Sequence, residues 1–131
     1  MRYMLDSNIC IHVINHASDS LIAKLVKYEG ELCISTIVAA ELQFGAAKSA
    51  AQKKNRATLA DFLAPLEVLP FDEDAASSYG DLRAALEKSG RPIGPLDTLI
   101  AAHAISLNAT LVTNNLREFQ RVKGLRVDSW V

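Results

Sequence analysis

The sequence predicts a single α/β domain built around a mainly parallel sheet. Short apolar runs alternate with segments of helical spacing along the whole chain of 131 residues, as expected for strands joined by crossover helices. Half of the residues are hydrophobic and 22% are charged, which suits one compact core and excludes two full domains. No internal repeat or low-complexity linker divides the chain. We therefore expect one domain over residues 1–131.

Short apolar runs bounded by polar or turn-forming residues are the predicted strands. Four of them are Tyr3–Leu5, Leu32–Ile34, Glu67–Leu69 and Thr110–Val112. A further run at Leu125–Val127 is a candidate short edge strand. Such brief runs, punctuated directly by turn residues, are typical of strands buried in a parallel sheet.

The segments between these strands carry apolar side chains at helical spacing. The predicted helices span approximately 9–15, 19–28, 37–49, 51–64, 72–89 and 96–107. Asp72, Glu73 and Asp74 suit the first turn of the fifth helix, because the helix dipole favours negative charge there. Pro95 suits the first position of the sixth. That helix is apolar nearly all round, so we expect it to be buried, with His103 as a core histidine.

Composition and charge exclude several classes of protein. Fourteen Lys and Arg against fifteen Asp and Glu leave a net charge of −1, so a nucleic-acid site would have to be a local patch. Cys10 and Cys33 form no C-x-x-C pair and are expected to be buried, reduced thiols. No run approaches the length of a membrane span, and Asp6 follows the first residues too closely for a signal peptide. We expect a cytoplasmic protein without a membrane partner.

Three carboxylates stand out from their surroundings. Asp6 directly follows the first strand, Glu41 lies in an apolar helical segment, and Asp97 is the single acid in the first turn of the buried helix. Each has a purely structural alternative: a helix cap for Asp6, a surface position for Glu41, and a dipole interaction for Asp97. The topology can bring all three to one end of the sheet, where ligands bind in such folds. Clustered carboxylates repel one another unless a cation compensates, and Mg²⁺ or Mn²⁺ prefers such oxygen ligands.

Two further polar residues follow the fourth strand. Asn115 and Glu118 lie in the segment 113–119 and can complete an acidic or amide wall beside the three carboxylates. A solvated loop position is the alternative for Glu118. The sequence leaves open which of the two contributes.

Four segments together resemble the motifs of PIN-domain ribonucleases and, more narrowly, of the VapC toxins of bacterial VapBC toxin–antitoxin modules. In order, they are Tyr3–Ile11, Ile34–Thr36 with Glu41–Gly45, Gly90–Asp97 and Leu111–Phe119. The resemblance extends over essentially the whole chain. It implies a PIN-like three-layer α/β/α sandwich with a central, mainly parallel sheet of four to five strands.

The resemblance also implies a Mg²⁺- or Mn²⁺-dependent endoribonuclease whose acidic positions fall on Asp6, Glu41 and Asp97. Our hypothesis is that Asp6 and Asp97 hold the metal while Glu41 orients or deprotonates the attacking water. Two departures from the family pattern matter. Ser7 replaces a more usual Thr, and Asn115 stands at the family's fourth acidic position, which weakens that role or shifts it to Glu118.

The resemblance further implies a homodimer and a VapB-type antitoxin that lies in an apolar groove and blocks the acidic site. The motifs are most similar to those of enteric toxins that cut initiator tRNA in the anticodon stem-loop. The predicted substrate-binding residues are Ser7, Asn8, Arg91, Thr113 and Arg117. Two basic stretches, 48–56 and 117–126, are typical of solvated helix faces, with phosphate contact favoured more for the second.

Readings from other classes fit less well. A two-component receiver domain needs a phosphoacceptor Asp after a central strand, but the third strand is followed by Pro70 and Phe71 and the fourth by Thr113 and Asn114. A haloacid-dehalogenase-type phosphatase needs Asp-x-Asp after the first strand, and Asn8 stands at the second position. A catalytically idle PIN domain that only binds RNA or a partner remains as the alternative.

Overall fold

Five parallel strands form the centre of the fold in the computed structural model, which describes all residues 1–131. The strands are β1 (Tyr3–Leu5), β2 (Leu32–Ser35), β3 (Glu67–Leu69), β4 (Thr110–Val112) and β5 (Arg126–Asp128). Their spatial order is β3-β2-β1-β4-β5, and every neighbouring pair is parallel. This confirms the predicted α/β class, and both the fifth strand and its parallel direction are now defined.

Seven helices flank the sheet. They are α1 (Ser7–His16), α2 (Asp19–Lys27), α3 (Thr36–Lys48), α4 (Gln52–Leu63), α5 (Glu73–Lys88), α6 (Pro95–Ser106) and α7 (Leu116–Phe119). The chain moves outward from β1 through β2 to β3 and then returns past β1 to β4. Because such crossovers are right-handed, the helices before β3 and those after it cover opposite faces. The fold is therefore the expected three-layer sandwich.

Most element boundaries lie within a residue of the predicted ones, and the differences include three at α1, β5 and α7. Helix α1 begins at Ser7 rather than near residue 9, because the Asp6 side chain caps it by accepting a hydrogen bond from the Ile9 amide. Strand β5 lies one residue later than predicted. The four-residue helix α7 was not predicted, since so short a helix has no apolar periodicity to reveal it.

The reversal of strand order creates a crevice between β1 and β4. Met4 pairs with Leu111 and Leu5 with Val112, so the two strands end in register. All four of these side chains are fully buried; each contributes about 1.5–3 kcal/mol through burial relative to exposure. The rigid pair of strands places the next residues of each, Asp6 and Thr113, side by side. In parallel sheets such a switch point is where ligands bind.

Helix α6 lies in the core, as its apolar composition predicts. His103 is 1% exposed, packs edge-on against Phe71 and has no hydrogen-bond partner at Nδ1. Burial lowers the pKa of His103, so the prediction of a core histidine is confirmed. Both thiols are also buried and unpaired, and burial raises the pKa of Cys33 to about 11. None of the helices combines the length and hydropathy that crossing a bilayer would need.

Candidate active site at the carboxyl edge of the sheet

Asp6 is the anchor of the candidate site. Its carboxylate is 1% exposed and is held at both oxygens: Oδ1 accepts from the Ile9 amide at 2.8 Å, and Oδ2 accepts from the Thr113 hydroxyl. Burial raises the pKa of Asp6, and the Thr113 and Ile9 hydrogen bonds act in the opposite direction. Asp6 is thus both the predicted helix cap and a fixed carboxylate at the crevice, so the structural and functional interpretations coexist.

Glu41 reaches the same place from helix α3. Its Oε1 accepts a hydrogen bond from the Ser7 hydroxyl at 2.5 Å. This contact joins the start of α1 to the middle of α3 and leaves Oε2 of Glu41 without a protein donor. Glu41 is half-buried rather than surface-facing. This position differs from that of a fully solvated surface Glu.

Asp97 lies in the first turn of α6, where the structure shows strong electrostatic crowding. Its pKa is raised to about 7, first by burial and then by the negative charge of Glu118, with further contributions from Asp6 and Glu41. A carboxyl group with a pKa near 7 has lost the hydration that normally stabilises its charge. The favourable helix dipole at this position is evidently too weak to offset that cost.

Glu118 and Asn115 form a linked pair beside Asp97. The Asn115 amide nitrogen Nδ2 donates to Glu118 Oε2 at 2.6 Å, and the Gly94 backbone amide donates to Oε1 of the same carboxylate at 2.9 Å. A Cβ added to Gly94 would lie 3.5 Å from Asp97 Oδ2 and 3.7 Å from Glu118 Oε1. Glu118 is therefore the fourth acid in space, and Asn115 orients it.

The carboxylates of Asp6, Glu41 and Asp97 lie at an open cavity of about 320 Å³. Its lining residues are mostly polar: Asp6, Ser7, Asn8, Glu41, Gly94, Pro95, Leu96 and Asp97. The structure thus brings together the three carboxylates that the sequence singled out, although they lie far apart along the chain. The N-terminal ends of two helices also lie at this cavity, since α1 and α6 both begin there.

The donor set suits a hard divalent cation. All side-chain donors in the cavity are carboxylate, hydroxyl or amide oxygens, and the raised pKa of Asp97 reports negative charge that no protein cation neutralises. No group of three or more His, Cys, Asp or Glu side chains is close enough to enclose a metal ion. Mg²⁺ is commonly bound by one or two carboxylates, with water and substrate phosphate completing its shell.

The predicted substrate-binding residues lie in separate parts of the structure. Ser7 and Asn8 line the cavity. Thr113 is fully buried and donates to Asp6, so it is placed to support a carboxylate and not to touch a substrate. Arg91 lines a second cleft on the other side of the loop 90–94. Arg117 is exposed on α7 and lines neither cavity.

Sequence reasoning missed the backbone of Gly94 as a member of the site. Its amide fixes Glu118, and its lack of a side chain leaves space between Glu118 and Asp97. The only local signal is a glycine directly before Pro95, which also indicates an ordinary helix start. The contact to Glu118 joins residues 24 positions apart and could not be read from spacing.

Comparison with known proteins identifies this arrangement. The family model of the PIN domain matches residues 3–125, so the chain is a PIN-domain protein. The chain is 42% identical over 130 residues to the tRNA(fMet)-specific endonuclease VapC of Shigella flexneri, covering 99% of this chain and 98% of that protein. It is 46% identical over 132 residues to ribonuclease VapC2 of Rickettsia felis, with the same coverage.

Solved structures agree with these relationships. VapBC2 from Rickettsia felis, bound to a promoter DNA fragment, matches with a TM-score of 0.96 at 44% identity over the full length of both chains. DNA-bound VapBC from Salmonella typhimurium matches with a TM-score of 0.98 at 41% identity, covering 100% of this chain and 99% of that one. The chain belongs to the VapC ribonuclease family of PIN-domain proteins, the toxin components of VapBC toxin–antitoxin systems.

Proposed function

We propose that this chain is a divalent-metal-dependent endoribonuclease that cuts initiator tRNA in the cytoplasm and so inhibits translation. The observation that carries the proposal is the convergence of Asp6, Glu41 and Asp97 on one cavity, with the pKa of Asp97 raised to about 7. The choice of initiator tRNA rests on relatives from Shigella flexneri and Salmonella typhimurium, each 42% identical and named for that specificity.

In this proposal Asp6 and Asp97 hold the metal ion, Mg²⁺ or Mn²⁺. Asp6 is pre-oriented by the Ile9 amide and the Thr113 hydroxyl, which reduces the reorganisation needed on binding. When bound, the ion supplies Lewis-acid stabilisation of the charge that develops on the scissile phosphate and lowers the pKa of a water molecule. Neutralisation of the crowded carboxylates by the ion would return Asp97 to its ionised form at neutral pH.

Glu41 is the proposed proton acceptor for the attacking water. Ser7 occupies its Oε1, so the other oxygen is available to orient the water and take its proton. The water oxygen bonds to phosphorus and the bond from phosphorus to the 3′ oxygen breaks, leaving a 5′-phosphate and, after protonation by solvent, a 3′-hydroxyl. The Gly94 amide and Asn115 hold Glu118 as a further negative group beside Asp97, completing the acidic wall.

The direct test is cleavage of purified initiator tRNA beside elongator tRNAs and a single-stranded RNA, with and without Mg²⁺. Asp97→Asn is the control for contaminating nuclease, because it keeps the shape of the side chain and removes its charge. We expect metal-dependent cutting of initiator tRNA that is lost in the variant. Equal cutting by the variant at saturating metal would contradict the assignment of Asp97.

A catalytically idle PIN domain is the alternative outcome of the same experiment. Binding of RNA without cutting of any RNA, in the presence of Mg²⁺ and across a transcriptome-wide mapping, would support it. The simultaneous presence of Asp6, Glu41 and Asp97 at one cavity argues against this alternative, since an idle domain has no need for three mutually repelling acids.

An apolar groove provides the proposed surface for a VapB-type antitoxin. It has a volume of about 320 Å³ and lies between α2 and the end of α4, with Leu25 and Phe62 in its wall. Ile22 and Val26 on the same helix α2 are 46% and 65% exposed and line this groove, and a contiguous exposed apolar surface of this kind marks an interaction site. The antitoxin would continue from this groove to the acidic cavity and block it electrostatically.

Val26→Glu tests this partner. The substitution places a charge in the apolar groove and leaves the acidic cavity unaltered, so we expect weaker binding of the cognate antitoxin at unchanged cleavage by the free protein. Gel filtration with light scattering on the free protein and on the complex tests the proposed homodimer and its higher assembly. If Val26→Glu binds the antitoxin as tightly as wild type does, the antitoxin binds another face of the protein.

A further inference from the structure

The largest cavity of the protein lies outside the acidic site. It is a cleft of about 550 Å³ between α5, the end of α6 and the segment after α7. Cationic side chains stand at its rim, namely Arg91, Arg121 and Lys123, and its lining includes Leu82, Ala85, Leu86 and Ile105. A cavity of this size that combines apolar side chains with polar and charged ones can hold a small ligand or one unit of a polymer.

The positive charge at this rim has no protein partner. The chain has three ion pairs, Met1 with Glu31, Arg2 with Glu67 and Arg83 with Glu87, and none of them involves a cleft residue. Arg91, Arg121 and Lys123 are all exposed, and Asp81 is the single carboxylate in the lining. Three cations that form no ion pair, against one carboxylate, fit a phosphate-bearing ligand, since guanidinium and ammonium groups both bind phosphate oxygens.

The cleft and the acidic cavity share one wall, the loop 90–94. Arg91 lines the cleft and Gly94 lines the acidic cavity, so at most about 11 Å of extended chain separates them. The loop is tied from both sides. Glu118 accepts from the Gly94 amide, and Arg121 donates to the Pro92 carbonyl oxygen at 3.2 Å. A nucleotide neighbouring the one at the carboxylates can therefore reach the cleft across a fixed ridge.

We propose that this cleft binds one unpaired nucleotide of the substrate RNA next to the cleaved bond. Its phosphate lies against Arg91 and Lys123, and its base enters between α5 and α6 over Leu82 and Ile105. Unpaired bases of RNA loops are commonly recognised in this way, by stacking on apolar or guanidinium surfaces while cations hold the backbone. The inference rests on the proposed function, because it takes RNA as the substrate of the acidic cavity.

Asp81 gives the pocket a means of discriminating bases. A carboxylate next to a bound phosphate is unfavourable, but at the edge of a base it accepts hydrogen bonds from an exocyclic amino group. The cleft should therefore prefer a base that carries such a group, cytosine, adenine or guanine, over uracil. This preference separates a nucleotide pocket from a general cationic surface, which would show none.

The test uses paired variants with matched controls. Arg91→Gln with Lys123→Gln removes two cations from the cleft, and Lys53→Gln with Lys54→Gln removes two from the exposed face of α4. Ala85→Leu narrows the cleft without altering charge, and Ala84→Leu places the same side chain on a part of α5 outside it. Both alanines are exposed, and leucine is a good helix former, so the variants should fold.

Binding is measured to an RNA oligonucleotide carrying the anticodon stem-loop of initiator tRNA, with every variant in the Asp97→Asn background so that the RNA stays intact. We expect the cleft charge variant to weaken binding about 10-fold and to reduce the salt slope by about 1.4, the value for two lost phosphate contacts on a single strand. Ala85→Leu should weaken binding with an unchanged salt slope. In the active protein both should raise KM with little change in kcat, and both control variants should behave as wild type.

Each outcome decides between the two proposals. If the protein cuts RNA with metal but Ala85→Leu binds as tightly as Ala84→Leu, the cleft is no nucleotide pocket, and the proposed nuclease function stands. If the two charge variants weaken RNA binding equally, the cations of the cleft act only as general surface charge. That result would also overturn the inference. If the wild-type protein neither binds nor cuts RNA, the proposed function fails and the inference fails with it.

Discussion

The hydroxyl group of Thr113 donates a hydrogen bond to Oδ2 of Asp6, across the junction of the two central strands. Thr113 follows β4 and Asp6 follows β1, and the register of these strands places the two residues side by side. Both are buried, so loss of the bond removes a partner that stabilises the buried carboxylate. The pairing of β1 with β4 therefore fixes the orientation of the Asp6 carboxylate at the candidate active site.

Thr113→Val removes this donor at nearly constant volume. A hydrogen bond to a charged group contributes about 1.5–3 kcal/mol, so we expect cleavage at neutral pH to fall by roughly 10- to 100-fold. The pKa of Asp6, already raised by burial, should rise further and move the acid limb of the pH–rate profile to higher pH. Thr110→Val, at the start of β4, is the control. A normal profile for Thr113→Val would show that Asp6 needs no such support.

Asp97→Asn should stabilise the metal-free protein. Because the pKa of Asp97 is raised in the folded state to about 7 from an ordinary value of 3.8, the folded state binds more protons than the unfolded one between these values. The free energy of unfolding therefore falls as pH rises through this window and levels off above pH 7. In thermal melts from pH 4 to pH 8, the melting temperature of the variant should increase relative to that of wild type as pH rises.

Addition of Mg²⁺ provides the internal check on that result. The ion stabilises the charged carboxylates of the wild-type site and binds the folded state selectively. We expect Mg²⁺ to raise the melting temperature of wild type at pH 8 and to have a smaller effect on Asp97→Asn. Equal melting curves of the two proteins at every pH would mean that Asp97 is not under electrostatic stress.

Glu118→Gln should lower the pKa of Asp97. The charge of Glu118 is the largest contribution to the raised pKa after burial, and glutamine keeps an oxygen that can accept from the Gly94 amide. NMR titration of the Asp97 carboxyl carbon in the metal-free protein should give a midpoint below the wild-type value of about 7. A midpoint that does not move would mean that Glu118 does not contribute to the raised pKa of Asp97.

Gly94→Ala should impair activity without unfolding the protein. The added methyl group meets Asp97 Oδ2 at 3.5 Å and Glu118 Oε1 at 3.7 Å, both ordinary contact distances, and the backbone at Gly94 has a φ of −54°, which alanine adopts freely. The methyl group occupies space beside two acidic oxygens, so metal affinity and cleavage should both fall. Measurements are Mg²⁺ titration of the cleavage rate and the melting temperature.

Gly80→Ala is the matched control for that variant. Gly80 lies inside helix α5, and nothing is within 4 Å of an added Cβ. Alanine in a helix interior is favoured over glycine by roughly 0.5–1 kcal/mol, so this variant should be slightly more stable and fully active. Full activity of Gly94→Ala as well would remove Gly94 from the site.

The local sequence pattern predicted some residues of the candidate site and not others. Asp6 and Asp97 were identifiable because each is an acid at a strand end or helix start, where its chemical type is unusual among apolar neighbours. The choice between Asn115 and Glu118 was not identifiable, since both are polar residues of one short turn. In the structure, the position of the Glu118 carboxylate is fixed by a hydrogen bond from the Gly94 amide, 24 residues away. Thr113 and Arg91 were both predicted to bind substrate; Thr113 is buried behind Asp6, whereas Arg91 lines a separate cleft.

The sequence by itself determined the α/β class, the order of the strands and helices, and the three carboxylates, because periodicity and capping act over a few neighbouring residues. The tertiary structure alone decided which side chains meet at the carboxyl edge and which turn away from it. The physical reason is that strand register and helix packing set these positions. Both depend on contacts between residues far apart in the chain, and burial then sets the pKa of Asp97.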